Sequence, residues 1–226
     1  MADAERLSAE DEPYHREPIT YEAPYLDNLP TAPREKFAAN IAAIQKLKEI
    51  EQRVANGGSP AFEDEQKILA QYTGWGGLSD AFDPNKSTWS NEYSQLKAAL
   101  SESEYEAARS STLTAFYTPA TVIHPIYRAL ERFGVKGGKI LEPSMGTGAF
   151  LAHGHFGSSD AKFYGVELDS ITGRISKQLY QKANIQVTGY ENALLPDNYF
   201  DCVIGNVPFG NFQVNDPQYN RLHFPI

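Results

Sequence analysis

The chain has 226 residues, 41% of them apolar, a net charge of −9 and a single cysteine, Cys202. This is enough apolar material for a real core, and the lone cysteine rules out a disulfide within the chain, which fits a reducing, cytoplasmic setting. No apolar run approaches the ~18–20 residues of a membrane span, and the polar, acidic N-terminus does not resemble a signal peptide, so no membrane partner is expected.

Residues 1–30 hold eight acids against two bases, a net of −6, so the other 196 residues carry only −3. This proline-dotted leader shows little periodicity and reads as disordered or peripheral. Thr31 then caps a predicted helix over 33–55, with Phe37, Ile41, Ile44, Leu47, Ile50 and Val54 on one face, ended by Gly57-Gly58. Ser59-Pro60 begins a second helix to about Tyr72, followed by the loop Thr73-Gly-Trp-Gly-Gly-Leu78. A third helix covers about 91–100, and Ser101 with Glu104 forms a capping box for a fourth, ending near Ser110. Residues 31–112 therefore read as a helical region.

From about residue 113 the pattern changes. Thr118 is placed as an N-cap with Pro119 at the first helical position, for a helix that stops at Gly134 and carries Pro125 as a kinking interior residue. Apolar strands then alternate with helices: 139–141, a helix from Thr147, 162–166, a helix over 171–182, 185–188 and 201–204. Such alternation predicts an α/β fold, a Rossmann-like parallel sheet wound by helices, with about four strands in the 113–226 domain.

The candidate site lies at the carboxyl ends of these strands, where open α/β sheets bind ligands. The first strand runs into Glu142-Pro143-Ser144-Met145-Gly146-Thr147-Gly148. Its glycines let a ligand approach the backbone at a helix start. The spacing is G-x-G rather than the G-x-G-x-x-G of a dinucleotide site, and Glu142 would repel a pyrophosphate. An acid there suits a ligand with an ammonium group, such as S-adenosylmethionine. The second strand ends at Glu167, whose carboxylate can accept both hydroxyls of a ribose, while Asp169 is the N-cap of the next helix. Glu191-Asn192 after the third strand is placed to reach the adenine rim of such a cofactor. After the fourth comes Asn206-Val207-Pro208-Phe209. The Asn206 side-chain oxygen and the Val207 carbonyl can each accept one hydrogen of an exocyclic amine, and Phe209 can stack on the base. Taken alone, that tetrapeptide is equally a strand ending in a proline turn.

Together, FYTP (116–119), LEPSMGTGAFL (141–151), YGVELD (164–169), ENALL (191–195) and GNVPFG (205–210) resemble the amino-group DNA methyltransferases that modify adenine N6. More narrowly, QYTGWGGLSDAF (71–82) and YGVELDSITGRI (164–175) look like the methylase segment of large methylase–helicase proteins of bacterial mobile elements. The resemblance implies methyl transfer from S-adenosylmethionine to a flipped adenine in DNA. It implies that Tyr117 and Thr118 contact the methionine part, that Glu142, Pro143, Ser144, Gly146 and Gly148 form the cofactor turn, that Glu167 holds the ribose and that Glu191 lies near the adenine. Asn206, Val207, Pro208 and Phe209 become the catalytic tetrapeptide, with Val207 where many relatives carry Pro.

A complete sheet of this kind has seven strands, and only four are expected here. The expectation is a fragment, half of a split enzyme or a truncated product, not necessarily active alone, with an exposed strand edge that a protein partner or second half could pair with. The alternatives are a non-catalytic binding or anti-defence module that kept the cofactor fold, and an RNA or protein-glutamine methyltransferase. The pair His153 and His155 lacks a third ligand at metal spacing. Trp75 reads as a buried anchor rather than a base-stacking wedge.

Overall fold

In the computed structural model the described residues are 17–21, 29–113, 115, 117–154 and 161–207. The first helix, α1, spans Pro33–Ala55 as expected. Ala32, not Thr31, is its N-cap and gives no side-chain bond. Pro33 in the first turn has no N–H to satisfy. Phe37, Ile41, Ile44, Leu47 and Ile50 are buried, but Val54 is 41% exposed because the last turn runs past the core. The helix closes with paired bonds from Gly57 N–H to the Val54 carbonyl and Gly58 N–H to the Arg53 carbonyl, with Gly57 at φ +83°. That is the Schellman pattern.

The second helix, α2, is shorter than expected, Glu63–Leu69. Arg53 holds the carbonyls of Ser59 and Pro60 and both oxygens of Glu65, so 59–62 stay outside the helix. Two short 3-10 turns, Ser79–Phe82 and Ser87–Trp89, lead to α3, Ser90–Ala99. The fourth helix, α4, is Glu102–Ser111, and its Ser101–Glu104 capping box forms in both directions.

The fifth helix, α5, is Ala120–Arg132, with Pro119 rather than Thr118 at the N-cap and Pro125 inside it. Strand β1 is Lys139–Glu142, the one-turn α6 is Ala149–Ala152, β2 is Lys162–Glu167, α7 is Ser170–Leu179, β3 is Asn184–Val187 and β4 is Cys202–Val203. Asp169 caps α7 as expected, its Oδ1 accepting from Thr172 N–H at 2.7 Å. That helix stops three residues before Lys182 because Gln181 N–H turns to the carbonyl of Ile19, and Tyr21 N–H to that of Leu179. The acidic leader is therefore tied down at 19–21, where Tyr21 is buried.

Every strand pair is parallel, in the order β3-β2-β1-β4. The chain winds outward from β1 to β3 and then returns to the other side of β1. Such a reversal opens a crevice beyond the carboxyl ends of the two strands flanking it, here β1 and β4. On the other side of β4 no strand pairs among the described residues, and Val203 is 60% exposed.

The helical region is not a loose annex. One continuous core runs from Phe37, Leu47, Trp75 and Tyr105 to Met145, Ile171, Ile175 and Leu179. A second cluster of Ile123, Tyr127, Ile140, Phe150 and Ile204 gathers beneath α5.

Candidate cofactor and target-base site

Glu142 ends β1 almost fully buried, 3% exposed, and its Oε2 has no hydrogen-bond partner among the described residues. Burial, and then the nearby charge of Glu167, hold its carboxyl well above the ordinary carboxylate range. A buried acid with an unmet oxygen is costly unless a donor or cation completes it.

The turn after Glu142 is stitched to β2 and α7. Met145 N–H bonds the Val166 carbonyl at 3.0 Å, Gly146 N–H donates to Glu167 Oε2 at 2.7 Å, and Ser176 Oγ donates to the Gly146 carbonyl at 2.9 Å. Gly146 and Gly148 have φ of +54° and +79°, a left-handed region that favours glycine. Rings fill the space where their side chains would be: Tyr117 covers Gly146, and Tyr180 covers Gly148. Close packing against the turn, as well as conformation, therefore requires these glycines.

Glu167, half-buried at the tip of β2, accepts from Gly146 on one oxygen and from Asp169 N–H on the other at 2.8 Å. Burial pushes its carboxyl up, against the pull of those two N–H groups. Leu168 N–H also acts on this carboxylate, and the acceptor capacity that remains can take a ribose hydroxyl.

Asn206 and Val207 follow β4 and are exposed. They begin beside the cofactor turn: a Cβ on Gly205 would sit 3.4 Å from Pro143 Cδ and 3.5 Å from Glu142 Cγ. Pro208 and Phe209 lie outside the described residues. Pro143 and Ser144 are half-buried in the turn, and Thr118 is half-buried just before α5. Glu191 is exposed on the 3-10 turn Tyr190–Asn192 after β3, where Asn192 Nδ2 donates to it at 2.9 Å. Two surface depressions, about 450 and 540 Å³, lie away from this cluster. One is lined by Phe82 and Arg109, and the other by Phe133 and Asp201 near the opposite end of the sheet.

The N-6 DNA Methylase family matches residues 102–224, more than half of the chain. This chain belongs to the N-6 DNA methylase family. Its similarity to the defense against restriction protein B of Escherichia phage P1 is 28% identity over 198 residues, 87% of this chain and 7% of that protein. To the modification methylase CviBIII of Paramecium bursaria Chlorella virus NC1A it is 33% identical over 95 residues, 42% of this chain and 25% of that protein. The chain thus spans a small part of each relative. A methyltransferase of Methanococcus maripaludis, described as S-adenosyl-L-methionine-dependent, overlaps with a TM-score of 0.30 and 23% identity, over 38% of this chain and 43% of the other. That overlap is too low to bear on the assignment.

In this N-6 DNA methylase chain the donor set fits S-adenosylmethionine. Glu142 offers an unmet buried oxygen to an ammonium group, and Glu167 offers its remaining acceptor capacity to a ribose. Sequence reasoning missed three residues of the cluster. Ser176 and Tyr180 sit on α7 or at its end with no motif around them. Asn40 did leave a signal, as a polar residue within the apolar stripe of α1. It also missed that His124 Nε2 lies 3.2 Å from His153 Nδ1.

Proposed function

We propose that this chain carries the cofactor-binding and catalytic part of a methyltransferase acting on N6 of adenine in DNA, with S-adenosylmethionine as donor. One observation supports this above the others: the Asn206 segment leaves β4 against Glu142 and Pro143, so the amine-gripping and cofactor motifs meet at the β1–β4 reversal. Glu142 and Glu167 would hold the ammonium and ribose of the cofactor, with Tyr117, Thr118, Ser144 and Glu191 around it. Bound S-adenosylmethionine supplies a methyl group on a positively charged sulfur. The Asn206 side-chain oxygen and the Val207 carbonyl accept the two hydrogens of the N6 amine and draw its lone pair out of conjugation. Phe209 stacks on the base once it has left the duplex.

The test is calorimetric titration of the purified chain with S-adenosylmethionine beside a Glu167→Ala control, then transfer of labelled methyl to duplex DNA, with nucleoside analysis for N6-methyladenine. Asn206→Ala should keep cofactor affinity and lose transfer. Absence of binding by a folded chain overturns the reading, and transfer to RNA or protein glutamine instead of DNA reassigns the substrate.

The similarity to a phage protein named for defense against restriction favours a second reading, a non-catalytic module of a protein that counters host restriction. Retention of the protective effect by Asn206→Ala in the whole protein would select it.

A further inference from the structure

We infer that Asn40, in the helical region, is a positioning residue for the cofactor turn and acts through the loop at Thr73–Gly74 and the ring of Tyr117. The inference rests on the reading of that turn as the S-adenosylmethionine site. Asn40 is fully buried on the core face of α1, where an amide is costly unless its hydrogen bonds are met. A single loop meets them. Asn40 Nδ2 donates to the Gly74 carbonyl at 2.7 Å, and Oδ1 accepts from Thr73 N–H at 2.8 Å and from the Thr73 hydroxyl at 3.3 Å.

The loop so held places Gly74 at φ +68° with its bare Cα against Tyr117. A Cβ there would lie 2.6 Å from Tyr117 Oη and 3.1 Å from Cζ. The same ring covers Gly146, where a Cβ would lie 2.7 Å from Cε1 and 2.8 Å from Cδ1. Tyr117 is thus wedged between two glycines, one from the helical region and one from the cofactor turn. Gly146 is fixed in its turn by Glu167 and Ser176. The path Asn40–Gly74–Tyr117–Gly146–Glu167 has no slack in it, because packed rings transmit small shifts as hard contacts. The glycine-rich loop therefore shapes the cofactor turn through Tyr117.

A double-mutant cycle tests the wedge in the full chain, read by calorimetry with S-adenosylmethionine. Gly74→Ala should weaken binding by at least about tenfold in the wild-type background and by less than about threefold with Tyr117→Phe, which removes the nearest atom, a coupling expected for residues in contact. Equal losses in both backgrounds would overturn the wedge. Asn40 is tested by amide hydrogen exchange without ligand. Asn40→Ala should speed exchange at Thr73 and Gly146 by about tenfold or more, while Ile50 and Ile185 keep wild-type rates, since local opening is separable from global unfolding. Wild-type exchange at Gly146, or a uniform rise, would overturn the positioning role. Should Asn40→Ala not fold, Asn40→Ser, which keeps one hydrogen-bonding group, is read the same way. Should the wild-type chain bind no S-adenosylmethionine, the proposed function fails and the exchange measurement still decides the linkage.

Discussion

Arg174 of α7 grips Glu51 of α1 with two parallel bonds, Nε to Oε1 at 2.6 Å and Nη2 to Oε2 at 2.5 Å. Its remaining nitrogen reaches Glu104 of α4 at 2.6 Å. One guanidinium thus ties the helix behind the sheet to two helices of the preceding region, and bidentate geometry makes it stronger than an ordinary surface pair.

Arg174→Leu should cost about 1–3 kcal/mol, less than a fully buried pair because the Arg174 and Glu51 side chains remain 26% and 34% exposed. Burial alone would raise the Glu104 carboxyl, but Ser101 N–H, Arg174 and Lys48 outweigh it and hold it to about 2. A depressed carboxyl stabilises above its unfolded value and loses that contribution as pH falls through its folded one. Denaturant unfolding at a series of pH values should therefore show the gap between wild type and Arg174→Leu narrowing from about pH 4.5 toward 2. A gap independent of pH would contradict the assignment.

Glu142 has the opposite sign. Its carboxyl is raised by burial and by Glu167, so the stability linked to it is present below the ordinary carboxylate value and is lost as pH rises through the raised one. Glu142→Gln removes that loss. The variant should melt higher than wild type at pH 7–8, match it more closely near pH 4, and bind S-adenosylmethionine at least about tenfold more weakly, a trade of stability for function seen at strained sites. Scanning calorimetry across that range, with a binding titration at pH 7.5, checks both halves.

The Ser101–Glu104 box sits at the start of α4, on the helix that meets Arg174. Ser101→Ala should cost about 1 kcal/mol, a melting shift of about 2–4 °C for a chain of this length. Ser101→Thr should recover most of it, and no shift on Ser101→Ala would mean that the first turn of α4 is held by packing.

These caps, the apolar face of α1 and the strand positions were legible because each is a local pattern: Ser101 three residues before Glu104, Asp169 before Thr172, apolar residues every three or four positions. The order β3-β2-β1-β4 was not, since Ile140 and Cys202 pair although they are 62 positions apart, and no periodicity records which edge a strand joins. The site divided along the same line. Glu142, Gly146, Gly148 and Glu167 announce themselves beside their strands. Tyr117 between Gly74 and Gly146 is a three-body contact among distant segments, and Tyr180 over Gly148 leaves no trace in local composition. The start of α2 was misread because Arg53, at the end of the preceding helix, takes the carbonyls of Ser59 and Pro60, and the end of α7 because the 19–21 segment, remote in sequence, pairs with it.

Trp75 separates a core role from a nucleic-acid role for the glycine-rich loop. It is 1% exposed, edge-on to Phe82 at 5.3 Å between ring centroids and to Tyr72 at 6.4 Å, and tilted against Phe37 at 6.2 Å. Trp75→Ala should cost about 3–5 kcal/mol, as for other large buried aromatics. Trp75→Phe should cost far less, because it also removes an indole N–H that is buried without a hydrogen-bond partner among the described residues. The other tryptophan, Trp89, is a separate fluorophore, so Trp89→Phe isolates the Trp75 signal. Its emission should be blue-shifted, resist acrylamide and stay unchanged when duplex DNA is added. Quenching by DNA would instead put the ring in contact with a base, and the loop would then be part of the nucleic-acid surface rather than the support behind Tyr117.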